Sequence, residues 1–253
     1  MTQINLPFDP NNFAGDPITN PFFPLAPGNT WVYQDIEGGV FTGVVDTVTV
    51  TNQTKIIDGV KCVVVLDVVR EGNKITESTK DYYAQDVAGN VWYFAEDTKA
   101  FQPGGVSTEG TFRGGVDGAS PGIIMLANPQ KGDSYFEENA PGVAVDEAEV
   151  TSLKESADVP FGPPFNNCLR TRNTSALIPG DVESKFYAAG IGSVLEISGD
   201  TRTELVSFTS GASLVQAMAG FGDHGHVGTA SAPLKSEHAH LADIVASHHA
   251  HNA

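Results

Sequence analysis

Over most of its length this chain alternates apolar and polar residues with a period of two. That is the spacing of a strand whose two faces meet different surroundings. The stretch Asp81–Asp97 carries the pattern most clearly: Tyr82-Tyr83 and Trp92-Tyr93-Phe94 are strand formers, and Asp86-Val87-Ala88-Gly89-Asn90 between them is turn chemistry. Alternation sets Tyr83 and Gln85 on one face and Tyr82 and Ala84 on the other. Further strands are expected at Thr30–Gln34, Val40–Asn52, Val60–Arg70, Ile75–Gln85 and Val91–Glu96, with turns at Asp58-Gly59 and Glu71-Gly72-Asn73-Lys74. Asp133–Glu138, Val143–Ser152, Ser156–Phe161, Cys168–Asn173, Val182–Ala188, Ser193–Ile197 and Thr201–Thr209 continue the series. Turn signals at this spacing predict an all-β fold, an antiparallel β-barrel or strongly curved sheet of lipocalin-like or half-barrel form.

A second hairpin of similar wording, Lys185–Glu196, lies about a hundred residues after the first. It again runs from aromatic residues through Tyr187 and a glycine turn to Val194 and an acid. Either the sheet is built twice over, or two aromatic hairpins agree by chance. Residues 102–128 interrupt the rhythm with Gly104-Gly105, Gly114-Gly115, Asp117-Gly118 and Pro121-Gly122, and read as a glycine-rich excursion ending in Ile123-Ile124-Met125-Leu126.

Three segments follow from these shifts. Residues 1–29 are a Pro- and Asn-rich extended arm whose Phe8, Phe13, Phe22 and Phe23 are suited to pinning it on the domain or capping a barrel end. Residues 30–210 form the β-barrel domain. Residues 211–253 are a Gly-, Ala-, Ser- and His-rich tail in which Leu214, Val215, Met218 and Phe221 share the spacing of one helix face.

The formal net charge is −17, with 31 acids against 14 bases. That balance argues against nucleic acid and anionic lipid as partners, both of which are bound through Lys and Arg. Scattered acids of this kind read as a solvated surface. No apolar run is long enough to span a bilayer, and the first residues show no basic and apolar leader. Cys62 and Cys168 each fall in a strand, where a disulfide and two buried free thiols are both open readings.

Pro21-Phe22-Phe23-Pro24-Leu25-Ala26-Pro27-Gly28-Asn29-Thr30-Trp31-Val32-Tyr33 resembles the opening of a group of bacterial secreted proteins and lipoproteins. Asp81–Thr98, Gly114–Met125 and Lys185–Glu196 also resemble segments of that group, and together the likeness spans roughly residues 20–208. It implies a β-rich fold and a secreted, extracellular location, and no reaction. Ala212–Phe221 with the following His- and Ala-rich end is similar to C-termini of proteobacterial proteins exported by type I secretion. That likeness implies an uncleaved export signal and the export machinery as a partner. The glycine–aspartate repeats of calcium-binding type I substrates are absent.

The histidines restrict the chemistry further. His224, His226, His238, His240, His248, His249 and His251 are all in the tail. The body therefore has no Ser-His-Asp, Cys-His or His-ligated metal site. The tail histidines are suited to copper, nickel or zinc. Calcium is less suited, since Asp86–Asn90 lacks the closely spaced acids of a calcium loop. Catalysis in the body must draw on groups such as Glu96, Asp97, Glu109, Arg113, Asp117, Tyr135, Lys185, Tyr187, Glu196 and Arg202. An extracellular carbohydrate-active hydrolase or lyase is the enzymatic alternative. The leading expectation is a secreted or surface-associated binding protein holding a small apolar or aromatic molecule, or a saccharide. Its ligand-binding residues are expected to be Tyr83, Gln85, Trp92, Phe94, Arg113 and Tyr187.

Overall fold

The β-branched and aromatic alternation becomes a wall of antiparallel strands. The structure is a computed structural model and describes residues 2–15 and 17–212. Its strands are β1 (Thr2–Gln3), β2 (Thr30–Glu37), β3 (Val40–Ile57), β4 (Val60–Glu71) and β5 (Lys74–Gln85). β6 (Val91–Gln102), β7 (Gly105–Ser107), β8 (Phe112–Arg113), β9 (Ser120–Met125) and β10 (Asp133–Ala140) follow. β11 (Ala144–Ala157), β12 (Phe165–Ser175), β13 (Val182–Ala188), β14 (Gly192–Ser198) and β15 (Thr201–Thr209) complete the order.

Neighbours in sequence are neighbours in the sheet from β2 to β6 and from β10 to β15, and β15 returns to β2. β9 closes the remaining gap by pairing with β6 on one side and β10 on the other. Twelve strands thus form a closed antiparallel barrel, not an open half-barrel. Closure leaves no bare edge along the wall and gives a wider interior than an eight-stranded barrel has.

The closing strand lies in the stretch whose glycines read as an excursion. β7, β8 and β9 are three pieces of one irregular partner for β6, pairing Ala100–Gln102, Ala95–Glu96 and Val91–Tyr93 in turn. Gly122 is there because β9 runs very close to β10. A Cβ on Gly122 would sit 2.1 Å from the Glu137 carbonyl oxygen. Gly122→Ala should therefore cost about 3 kcal/mol of stability, read as a melting-temperature loss of roughly 6–12 °C. An unchanged melting temperature would mean the seam is not closed in this way.

Position by position, the two halves of the ring repeat. β2, β3, β4, β5, β6 and β9 lie six places from β10, β11, β12, β13, β14 and β15. The registers agree: Trp31 pairs with Val48 as Tyr135 pairs with Ala148, and Val50 with Val65 as Val150 pairs with Thr171. Asp81 faces Glu96 as Lys185 faces Glu196. A bulge falls before Tyr83 in one hairpin and before Tyr187 in the other. Chance likeness of two hairpins does not extend to matching register from β2 to β6 and from β10 to β14, so the barrel is a pseudo-two-fold structure of two halves that share five strands each in register.

The N-terminal segment crosses one end of the barrel. Gln85 Oε1 accepts from the backbone N–H groups of Thr19 and Asn20 at 2.8 and 2.9 Å. Asn20 Nδ2 donates to the carbonyls of Gly89 and Leu126, and Gly190 N donates to Pro21 O at 2.7 Å. The β5–β6 and β13–β14 turns held in this way lie opposite each other on the ring. Phe8 and Phe13 pack on Trp92 and Phe94, and Phe23 packs edge-on to Tyr83. Gly211 N donates to buried Asn29 Oδ1. Both cysteines are buried free thiols, with burial pushing Cys62 up to about 12.

No helix among the described residues is long and apolar enough to cross a membrane, a statement that does not bear on strands. The outer wall bears exposed Lys80, Lys99 and Arg172, where a lipid-spanning barrel carries an apolar band.

Candidate site in the barrel lumen

Strand alternation brings a set of acids onto the inner face of the barrel. In the first half, Asp46 pairs with Val69 and Val69 with Glu77; Val48, Asp67, Thr79 and Thr98 line up beside them; Val50, Val65, Asp81 and Glu96 follow. In the second half the corresponding positions are Asp146 and Ser175; Ala148, Asn173 and Glu183; Val150, Thr171, Lys185 and Glu196. The halves have diverged where charge matters: Lys185 stands opposite Asp81, and Asn173 opposite Asp67.

In the first half, burial and the acids' own mutual repulsion favour their protonated forms. Burial pushes Asp46 up to about 7, and burial together with the Asp46 charge holds Asp67 well above the ordinary carboxylate range; Asp46 Oδ1 and Asp67 Oδ1 are buried with no hydrogen-bond partner. The Tyr93 hydroxyl lies 2.6 Å from Asp81 Oδ1 and 3.1 Å from Glu96 Oε2. Its ring stacks on Tyr83 with centroids 4.8 Å apart. Burial and the Glu96 charge hold Asp81 well above its usual range. Thr79 donates to Glu77, which burial pushes up to about 7, and Thr98 donates to Glu96.

The second half uses a cation instead. Lys185 Nζ lies 3.1 Å from Glu183 Oε2 and 3.9 Å from Glu196 Oε2. Burial works against its charge, yet these two acids keep its pKa well above the ordinary lysine value. Burial pushes Glu196 up to about 7 in spite of Lys185. Glu137, in the β10 bulge, accepts from Asn173 Nδ2 through Oε2. Its Oε1 and Asp146 Oδ1 are buried with no hydrogen-bond partner, as is the Tyr135 hydroxyl. A hollow of about 50 Å³ lies here, lined by Glu137, Asp146, Asn173, Asp181, Glu183 and Lys185 together with Thr174 and Ser175. It is at the β12–β13 turn end, away from the end that the N-terminal segment crosses.

The residues expected from sequence to bind a ligand are distributed over several places. Tyr83 and Tyr187 are buried on the inner face. Gln85 holds the N-terminal segment. Trp92 and Phe94 flank Tyr93 in the strand and pack against Phe8 and Phe13. Arg113 Nη2 is 3.4 Å from Asp97 Oδ1 and lines a separate hollow with Phe112, Val116 and Ala140. The Tyr82 hydroxyl donates to Asp97 at 2.6 Å; burial and this bond raise its pKa, so it is a poor proton acceptor. Asp86 is fully engaged by its turn, accepting from Ala88 N, Asn90 N, Asn90 Nδ2 and Trp92 Nε1. His224, His226, His238, His240, His248, His249 and His251 lie outside the described residues.

Sequence reasoning missed Asp46, Asp67, Glu77, Glu137, Asp146 and Glu183, which it took for solvated surface. A signal was available. Asp67 lies on the same strand face as Val63 and Val65, and Asp81 on the same face as Tyr83, so each acid shares an alternation with residues that belong inside.

No protein-family model matches this chain, and no curated protein matches it. Two solved structures do. One is a candidate exported protein with a YmcC-like fold from Bacteroides fragilis, 15% identical over 75% of this chain and 99% of that one, with a TM-score of 0.45. The other is a candidate lipoprotein from Parabacteroides distasonis, 13% identical over 77% of this chain and 100% of that one, with a TM-score of 0.42.

Proposed function

We propose that this protein is a non-catalytic binding cup that works outside the cytoplasm and takes a small polar ligand into its lumen. The observation that carries this reading is the hollow bounded by Glu137, Asp146 and Lys185, in which buried polar atoms lack partners. Buried acceptors without donors are costly, and a ligand that satisfies them gains what the empty site forgoes. An apolar or aromatic ligand suits this lining less well than a polar one. Tyr83 and Tyr187, the expected aromatic contacts, support the wall of the cup. Catalysis is not favoured: the tyrosines of the lumen are held protonated by burial and by neighbouring acids, which removes them as bases.

The test is native mass spectrometry on full-length protein recovered from the medium of its own host. One small molecule bound per chain is the expected result. Protein found only inside the cell would sink the location. Ligand-free protein from every growth condition would sink the binding reading.

A further inference from the structure

We infer that the ligand of the hollow at Glu137 is a small organic cation, held through an ammonium group between the Glu137 and Asp146 carboxylates; this rests on the binding-cup reading. The hollow has four carboxyl side chains, Glu137, Asp146, Asp181 and Glu183, and one ammonium, Lys185. That ammonium is committed to Glu183 and Glu196, at 3.1 and 3.9 Å. Glu137 is 5% exposed, and its Oε1 has no donor. Asp146 Oδ1 is likewise buried and unpartnered.

Asn173 gives its amide to Glu137 Oε2, so Glu137 has a donor for one oxygen only. Asp46 Oδ1 and Asp67 Oδ1 in the first half are also buried without a partner, but neither residue lines the hollow, whereas Glu137 and Asp146 both do. Two adjacent acceptors lacking donors are the complement of an ammonium, which brings three N–H groups and a positive charge. An anion is repelled by the lining. Among the described residues no group of three His, Cys, Asp or Glu side chains is arranged to hold a metal ion. The hollow, about 50 Å³ and open to solvent, takes an ammonium head group and leaves the rest of the molecule outside.

The probe is 1,4-diaminobutane, titrated calorimetrically into the full chain at pH 8 and 150 mM salt, with 1,4-butanediol as the uncharged match. The diamine should bind one to one and the diol should not. Glu137→Gln and Asp146→Asn should each weaken the diamine at least tenfold, whereas Glu109→Gln, at an exposed site, should not. Both lumen variants keep side-chain shape and remove a buried charge, so their melting temperatures should equal or exceed that of the unsubstituted chain; this establishes that they fold. Diamine binding that is absent, or equally strong in Glu137→Gln, overturns the proposal. If diamine fails while mass spectrometry finds a neutral or anionic molecule in host-derived protein, the cup stands and the cation reading falls. If neither finds a ligand, both fall.

Discussion

Lowering the pH from 8 to 5 raises the melting temperature of this protein, the reverse of ordinary acid denaturation. Burial pushes Asp35 up to about 6 and Asp46, Glu77, Glu137 and Glu196 up to about 7. In the unfolded chain these carboxyls titrate at roughly 4. Between those values the folded state binds more protons than the unfolded one, so stability falls as pH rises through 7 and is regained on acidification. Between pH 7 and 5 a single such carboxyl gains about two units' worth, about 2.7 kcal/mol. The lumen groups interact, so they do not add as independent terms. Even one group's worth is a gain of roughly 5–11 °C. Asp97 works the other way: burial opposes its charge, but the Tyr82 hydrogen bond and the Lys55 and Arg113 charges hold it below the usual range. Its contribution is lost only below about pH 4, which puts the stability maximum near pH 4 and not lower. Thermal melts followed by circular dichroism from pH 3 to 9 make the measurement. A melting temperature that drops steadily from pH 8 to 5 would show that the lumen acids are charged and compensated.

Replacing Lys185 should produce the second large effect. Lys185→Met removes the cation between Glu183 and Glu196 and leaves their charges buried together. Removing one partner from a buried ion pair costs about 3–5 kcal/mol, a large share of the stability of a domain. The loss should be greatest at pH 8 and should shrink at pH 5, where Glu196 takes up a proton of its own. Adding Glu183→Gln and Glu196→Gln to the same chain should restore most of the midpoint in urea at pH 8. A loss independent of pH, or one that the two amides do not repair, would show that Lys185 acts through packing and not charge.

The strands were legible because a half-buried strand imposes its own period on the chain. Val60–Arg70, Val182–Ala188 and Thr201–Thr209 read directly as strands, and β4, β13 and β15 occupy these stretches within a residue. The Asp86–Asn90 turn was also legible, since Gly89 and Asn90 are local turn chemistry and the hydrogen bonds of Asp86 reach no further than Trp92. Two kinds of feature were not. Val143–Ser152 and Ser156–Phe161 read as separate strands, but β11 is continuous from Ala144 to Ala157 because its register shifts are absorbed against β12. β9 was hidden because its Gly122 answers to the Glu137 carbonyl on another strand, a demand that no local pattern reveals.

By itself, then, the sequence determined an antiparallel all-β body, its hairpin turns and its excess of acid, all of which follow from neighbours along the chain. Only the tertiary structure decided that the ring closes at β9, that its two halves match in register, and that the acids of alternate strand positions meet inside. A strand shows that its two faces differ, but not which of them a closed wall will enclose. Asp46 and Asp67 are read as solvated until twelve strands curl around them, and then burial, not sequence, sets their protons.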